Sequence, residues 1–233
     1  MGSEDVSNNR CCLSIVMPCL NEENTIGICV ECAESTINAL GVEGEVLVVD
    51  NNSNDRSAMI AKDGGARVIT EKNYGYGRTL RYGIKEALGD VIIMIDADTT
   101  YDFGDIVMMY QMLADGTADI VIGNRFAGRM EQKAMSLPHR LGVRFLSYLA
   151  RKRFHTDVYD FHSGIRGLTK KAADKLSFST TGMEFATEMI AEAAKNNLKI
   201  EQISVALKRC EYERRSKLRT LRDGLRHLRY IYK

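Results

Sequence analysis

Two aspartates separated by one small residue form the strongest chemical signal in the sequence. Asp96-Ala97-Asp98 begins at the last residue of DVIIMID (residues 90–96). This segment is the most apolar run in the chain and predicts a buried strand. Two carboxylates at this spacing can hold a hard divalent cation, Mg²⁺ or Mn²⁺, through oxygen ligands. Such a cation would bridge the phosphates of a nucleotide diphosphate and stabilise their charge as the group departs. The alternative for a lone D-x-D is a solvated turn.

Three other polar segments follow predicted strands. PCLNE (residues 18–22) precedes a helix, where nucleotide contacts and helix capping both explain its residues. DNNSND (residues 50–55) offers Asp50 as an acceptor for hydrogen bonds from a base or ribose, although a capped turn would have the same composition. KNYGYG (residues 72–77) fails the dinucleotide fingerprint, and we interpret it as a glycine-loosened loop under the nucleotide, with a plain turn as the alternative.

The elements that position these segments alternate regularly in the first half of the chain. Apolar runs predict strands at residues 12–18, 45–50, 66–70, 90–96 and 118–123, and amphipathic stretches predict helices at 24–40, 55–62, 77–88 and 103–113. This alternation predicts an α/β fold with a mostly parallel sheet flanked by helices. Ligands of such sheets collect at the carboxyl ends of the strands, where the polar segments lie.

The second half is less regular. We expect helices at 138–152 and 182–197, a strand at 164–169 and a half-buried edge strand at 199–208. From residue 214 to the end there are eight basic residues and one acid, and leucines recur every three or four positions. This pattern predicts a basic amphipathic helix that either contacts an anionic membrane surface or packs on the core.

Length and composition suit one globular domain. The chain has 233 residues, of which 45% are hydrophobic and 27% charged, with a net charge of +1. We expect a disordered leader at 1–11, the domain at 12–213 and the basic helix at 214–233. The leader has no apolar signal-peptide core, which favours a cytoplasmic location, with the terminal helix as a peripheral membrane contact. The six cysteines are expected to be reduced thiols, nucleic-acid motifs are absent, and a homo-oligomer is left open.

The ordered motifs resemble the family 2 inverting glycosyltransferases, in the branch of dolichol-phosphate mannose synthase and polyprenyl-phosphate glucosyltransferases. The segments that carry the resemblance are IVMPCLNE, VVDNNSND, KNYGYGRTLRYGI, IMIDADTTYDF, IVIGNRF, DFHSGIRGL, GMEFATEM and ERRSKLRTLRDGLRHLRYI. The resemblance implies a GT-A-like (Rossmann-like) domain. It also implies a metal-dependent transfer of a hexose from a UDP- or GDP-linked donor, most simply to a polyprenyl or dolichyl phosphate.

The resemblance also implies roles for particular residues. Asp96 and Asp98 would bind Mg²⁺ or Mn²⁺, and Arg125 would contact the acceptor phosphate, with Arg166 and the adjacent His162 as further candidates for that contact. The residues expected to bind the donor are Pro18, Leu20, Asn21, Glu22, Asp50, Asn52, Lys72, Gly75, Gly77, Asp96, Ala97, Arg214, Arg215 and Lys217. Two positions depart from the family pattern: Asn51 replaces a second acid, and Thr100 stands where mannose synthases commonly have Gln.

Catalysis depends on the acceptor. A phosphate nucleophile is already ionised, so positioning and electrostatics would suffice, with Asp98 and Arg125 as the main groups. A soluble hydroxyl acceptor would need a general base, for which Glu184 is the candidate, unless it stabilises a helix N-terminus. For His162, the alternative to an acceptor contact is a purely structural role. Two other classes compete: a sugar-nucleotide pyrophosphorylase, which would usually have a Gly-rich loop after the first strand, and a non-catalytic nucleotide-sugar-binding homologue.

Overall fold

A seven-stranded sheet forms the centre of the computed structural model, which describes residues 12–210, 212 and 220–233. The strand order is β3-β2-β1-β4-β6-β5-β7. The strands are β1 (Leu13–Cys19), β2 (Gly44–Asp50), β3 (Arg67–Thr70), β4 (Val91–Met94), β5 (Ile120–Asn124), β6 (Arg166–Thr169) and β7 (Ile200–Ser204). β6 runs antiparallel to both of its neighbours, and every other pairing is parallel. The predicted mostly parallel α/β fold is confirmed.

The antiparallel strand has a direct consequence for the site. The parallel strands present their carboxyl ends at one edge of the sheet, and β6 presents its beginning there. Residues just before Arg166 therefore reach the same edge as residues just after Met94 and Asn124. The sequence pattern of residues 164–169 predicts a strand, but it does not reveal this direction.

Helices cover both faces of the sheet. They are α1 (Ile26–Leu40), α2 (Ser57–Asp63), α3 (Tyr76–Glu86), α4 (Asp105–Ala114), α5 (Leu137–Phe154), α6 (Lys170–Ala173), α7 (Phe185–Lys195) and α8 (Thr220–Ile231). Alternate strand residues face opposite cores: Ile15 and Val48 pack with α1, α2 and α4, whereas Val16 and Val49 pack with α3 and α7. Full burial of each such side chain contributes about 1.5–3 kcal/mol.

Several boundaries differ from the predicted ones. Helix α1 begins at Ile26 rather than residue 24, because the carbonyl of Glu22 accepts hydrogen bonds from Thr25 and Ile26 in a tight turn. β7 ends at Ser204 rather than residue 208, and Leu207 instead forms isolated bridges with two loops. The short helix α6 was not predicted.

Helix α8 packs on the core through residues spaced four apart along the helix. Asp223, His227 and Ile231, spaced four apart, are buried, whereas Leu225 is 67% exposed. The helix contacts α5 and α7. The docked position predicted as one alternative is therefore present, and of the predicted apolar stripe Ile231 is buried whereas Leu225 is exposed. The predicted leader at 1–11 and the residues at 213–219 lie outside the described part of the chain.

Two further expectations concern cysteines and membrane spans. The five described cysteines are free thiols, and burial raises the pKa of the Cys29 thiol to about 12, so it is not a reactive thiolate at neutral pH. Among the described residues, no helix combines the length and apolar character that crossing a bilayer requires.

Candidate active site

A large cleft opens at the carboxyl edge of the parallel strands. Its volume is about 1320 Å³, and its walls come from the ends of β1, β2, β4 and β5, the segment before β6, the first half of α5, and α8. Nine residues of the predicted set line the cleft. They are Pro18, Leu20, Glu22, Gly75, Asp96, Ala97, Asp98, Arg125 and His162.

Asp98 is held in place by its own turn. Its Oδ1 accepts hydrogen bonds from the backbone N–H of Thr100 at 3.1 Å and from the Thr100 hydroxyl at 2.5 Å. Between them, Thr99 adopts φ 61°, a left-handed conformation that is unfavourable for a β-branched residue and is typical of functional sites. Thr100 thus orients Asp98. This role accounts for a threonine at a position where the sequence departs from the family pattern.

Asp96 is oriented from two other elements. The Tyr76 hydroxyl donates to Asp96 Oδ1 at 3.1 Å, and burial raises the pKa of Tyr76 well above its usual value, so the phenol remains a donor. A Cβ at Gly164 would overlap Asp96 Oδ2, so only glycine allows the carboxylate this position. The hydroxyl of Tyr101 accepts a hydrogen bond from the Gly164 N–H at 2.7 Å and fixes that loop. The sequence analysis missed both tyrosines.

Asn51 joins the end of β2 to the glycine-containing loop. Its side-chain Nδ2 donates to the carbonyls of Glu71 and Asn73 at 2.8 and 2.9 Å, and its Oδ1 accepts from the Gly75 N–H at 2.9 Å. A carboxylate could not donate the first two bonds. An amide at position 51 therefore has a role that an acid could not fill.

The remaining donor-side residues include three that form hydrogen bonds within and between the neighbouring loops. Asn21 Oδ1 accepts from Asn54 N–H at 2.7 Å, and the Asp50 carboxylate accepts from the Ser53 N–H at 3.3 Å. The Asn52 side chain donates to the Lys72 carbonyl, while the Lys72 residue is exposed. Five predicted donor residues therefore do not line the cleft: Asn21, Asp50, Asn52, Lys72 and Gly77.

Arg125 forms a buried, bidentate ion pair at the cleft. Its Nε and Nη2 donate to the two oxygens of Asp160 at 2.7 and 2.8 Å, and both residues are more than nine-tenths buried. Burial opposes the charge of Arg125, but nearby Tyr101 and Asp160 together raise its pKa, so the guanidinium stays charged. A cation is thus fixed in the wall, with Asp160 as a partner that the sequence analysis did not identify.

The structure does not place Arg166 in the cleft, contrary to the acceptor role expected for it. Its guanidinium is 1% exposed and donates to the backbone carbonyls of Phe161, Ser163 and Ala186. These bonds tie the segment before β6 to helix α7. Arg166 therefore supports the position of that segment.

His162 lines the cleft beside a second histidine. Its ring packs edge-on against that of His227, with centroids 4.3 Å apart, and Nδ1 lies 3.3 Å from the Ser147 hydroxyl. Nε2 of His162 is buried and has no hydrogen-bond partner within the described residues. Burial, followed by the effect of His227 and Arg125, lowers the pKa of His162 well below its usual value. The ring is therefore neutral at physiological pH.

Glu184 lies at the N-terminus of α7 and is not among the cleft-lining residues. Arg226 Nε of α8 lies 3.0 Å from Glu184 Oε2, an ion pair without a well-directed hydrogen bond, and Oε1 accepts from the Gly182 N–H at 3.3 Å. This geometry favours the second interpretation of Glu184, a residue that stabilises the helix end and fastens α8. The predicted Arg214, Arg215 and Lys217 lie outside the described residues.

The two aspartates fit a divalent cation shared with a ligand. No cluster of three or more His, Cys, Asp or Glu side chains suited to a metal occurs in the described part of the chain. A cation at Asp96 and Asp98 would therefore take its other ligands from phosphate oxygens and water. Mg²⁺ is commonly bound in this way, through one or two carboxylates plus substrate phosphates.

Comparison with known proteins identifies the family. The sequence profile of glycosyl transferase family 2 matches residues 14–177, and the chain belongs to this family. It is 37% identical over 220 residues to the low-salt glycan biosynthesis hexosyltransferase Agl6 of Haloferax volcanii, a match that covers 94% of this chain and 52% of the relative. The chain thus spans about half the length of that relative.

Two further similarities are more distant. Over 170 residues the chain is 26% identical to undecaprenyl-phosphate 4-deoxy-4-formamido-L-arabinose transferase of Pectobacterium atrosepticum, covering 70% of this chain and 49% of that one. Among solved structures, glucosyl-3-phosphoglycerate synthase of Mycobacterium tuberculosis, crystallised with Mn²⁺, UDP and glucosyl-3-phosphoglycerate, superposes with a TM-score of 0.72 at 20% identity. That match covers 94% of this chain and 79% of the other. At this identity the structural match supports the fold.

Proposed function

We propose that this protein transfers a hexose, with inversion, from a UDP- or GDP-linked donor to a polyprenyl-type phosphate. The observation that carries the proposal is the pair Asp96 and Asp98, oriented by Tyr76 and Thr100 at the floor of a cleft large enough for a nucleotide sugar and part of an acceptor. The names of the Haloferax and Pectobacterium relatives, a hexosyltransferase and an undecaprenyl-phosphate transferase, support the reaction and the acceptor class.

On the donor side, the nucleotide would lie along the ends of β1 and β2. Pro18, Leu20 and Glu22 line this part, and Asn51 and Gly75 form its floor. Asn21, Asp50 and Asn52 would act by holding these loops in position. A divalent cation at Asp96 and Asp98 would supply charge stabilisation for the departing nucleotide diphosphate.

On the acceptor side, Arg125 would hold a phosphate. The ion pair with Asp160 fixes the orientation of the Arg125 guanidinium, so little reorganisation of this group is needed when an anion binds. Neutral His162, whose Nε2 has no partner among described residues, can donate one hydrogen bond to the same anion in the appropriate tautomer. An ionised phosphate oxygen needs no general base, which agrees with the ion pair that holds Glu184 to Arg226. These features favour phosphate over the hydroxyl acceptor that was the alternative.

The assignment of the aspartates is tested by Asp98→Asn, with Asp115→Asn as a matched control at the exposed end of α4. We measure nucleotide diphosphate release from UDP- and GDP-sugars, and the thermal shift that each donor causes, with and without Mn²⁺. The wild type and the control should show metal-dependent stabilisation by one nucleotide class. Asp98→Asn should lose turnover by at least ~10²-fold. Undiminished turnover in Asp98→Asn would refute the metal assignment, and no response to any donor would favour a non-catalytic homologue.

The acceptor class is tested by Arg125→Lys, which retains the charge but loses the bidentate geometry. The expected result is a KM for polyprenyl phosphate raised by about tenfold or more, with the donor-induced thermal shift retained. The retained shift shows that the variant is folded. A normal KM for the phosphate acceptor, or transfer to a hydroxyl acceptor of similar efficiency, would contradict the proposal.

A further inference from the structure

Helix α5 exposes a continuous apolar ridge. Leu137, Leu141, Phe145 and Tyr148 are each between 48% and 67% exposed, although they are large hydrophobic side chains. At about 100° per residue they fall within an arc of about 80° on the helix. The buried residues of the same helix, among them Val143 and Ala150, lie on the other side. Because contiguous exposed apolar side chains are uncommon on soluble domains, this ridge indicates a contact surface.

The charge of α5 identifies the kind of partner. Its 18 residues include five Lys or Arg and no Asp or Glu. Arg140 and Arg144 flank the apolar ridge, and no ion pair to either occurs in the part of the chain that the structure describes. A helix with an apolar stripe beside a wholly basic flank suits the surface of an anionic bilayer.

A small cavity beside the ridge adds a place for a headgroup. It has a volume of about 150 Å³ and is lined by Arg144 and Arg151, together with aromatic rings. The guanidinium of Arg144 lies 5.1 Å from the centre of the Phe126 ring, and that of Arg151 lies 4.4 Å from the Tyr159 ring. Stacking on the rings orders both side chains before any ligand arrives, so two cations face one cavity of phosphate size.

We propose that α5 docks the protein on an anionic lipid bilayer, with the ridge in the interface and a lipid phosphate between Arg144 and Arg151. Helix α8 continues the surface, since Leu225, Arg222 and Arg229 are exposed beside it. The first half of α5 also lines the large cleft, so the bilayer would lie at the mouth of that cleft. The inference goes beyond the proposed reaction, because lipid docking does not depend on which acceptor is used.

The ridge is tested in the full chain with Leu137→Ser/Leu141→Ser, since neither leucine lines the cleft. The matched control, Met59→Ser/Met108→Ser, changes two exposed methionines on helices of the opposite face of the sheet. Binding is measured by co-sedimentation with vesicles of phosphatidylcholine alone and of an equimolar mixture with phosphatidylglycerol. The wild type and the control should bind the mixed vesicles, and the ridge variant should bind at least ~tenfold more weakly.

The cavity is tested with Arg144→Gln/Arg151→Gln against Lys62→Gln/Lys195→Gln, which removes two exposed charges elsewhere. Each basic residue near an anionic surface corresponds to about fivefold in partitioning, so the arginine variant should lose about 25-fold on mixed vesicles at low salt. The lysine variant should lose much less. Equal losses in the two variants would overturn the headgroup site, leaving nonspecific charge attraction.

Two other results would overturn the docking surface as a whole. The first is no binding of the wild type to mixed vesicles, or binding that the ridge variant retains in full. The second is a dimer of the wild type that the ridge variant converts to monomer, which would assign the ridge to a second copy of the chain. Donor hydrolysis in the absence of vesicles should be unchanged in the ridge variant, so loss of docking is distinguished from failure of the proposed reaction.

Discussion

His227 is a buried histidine that joins helix α8 to helix α7. It is 4% exposed, and its Nδ1 lies 2.8 Å from the Thr187 hydroxyl of α7. Burial, then the nearby charges of Arg166 and Arg226, lower the pKa of His227 from 6.5 to about 4. The edge contact with His162 places a second neutral ring beside it, so protonation of either would bring a charge into a buried site that already contains Arg166.

The sign and size of the effect follow from linkage. A histidine whose pKa is lower in the folded protein than in the unfolded chain binds fewer protons when folded. Its full contribution to stability is therefore present above pH 6.5 and is lost as the pH falls from 6.5 toward 4. For His227 alone, lowering the pH to about 5 should reduce the free energy of unfolding by about 2 kcal/mol, since one pH unit corresponds to about 1.4 kcal/mol.

The measurement is the free energy of unfolding by denaturant at about pH 7.5 and about pH 5. His227→Asn removes the titrating ring and keeps a polar group near Thr187, while His155→Asn changes an exposed histidine and serves as the control. The wild type and the control should lose about 2 kcal/mol or more, and His227→Asn should lose about 2 kcal/mol less than they do. Equal losses in all three proteins would refute the assignment of the pH dependence to His227.

Three further predictions concern the groups that hold the site. Asp160→Asn leaves the buried Arg125 charge without its partner and should reduce the free energy of unfolding by about 3–5 kcal/mol, measured by denaturant unfolding; a loss below ~1 kcal/mol would contradict a desolvated pair. Thr100→Val removes the hydroxyl bond to Asp98 and should weaken Mn²⁺ affinity about 10–100-fold in a donor-dependent titration, with little change in Tm. Gly83→Ala would place a Cβ 2.5 Å from Val16 Cγ1, where α3 meets the sheet, and should destabilise the fold by about 1–3 kcal/mol; an unchanged Tm would show that the helix shifts freely.

The sequence alone predicted the parallel strands and the edge of the sheet at which the candidate site lies. Continuous apolar runs such as residues 90–96 and 118–123 have one stable environment, a sheet covered on both faces, so their order along the chain predicts parallel strands. Polar residues directly after such runs must lie at the carboxyl edge, and Asp96, Asp98 and Arg125 do line one cleft there. These inferences depend on local pattern and on general rules of chain connection, which the sequence contains.

Tertiary structure decided which polar residues face the cleft and which support it. Arg166 and Arg125 are both arginines near strand ends, but Arg166 belongs to the antiparallel strand β6 and its guanidinium turns to backbone carbonyls behind the cleft. Tyr76 and Asn51 gained roles through hydrogen bonds to groups 20 or more residues away along the chain, which no local pattern pairs with them. Helix α8 buries Asp223 and His227 and exposes Leu225, because the surface it meets offers polar partners such as Thr187. Hydrophobic periodicity describes one helix, whereas the buried face is chosen by the neighbouring helices against which it packs.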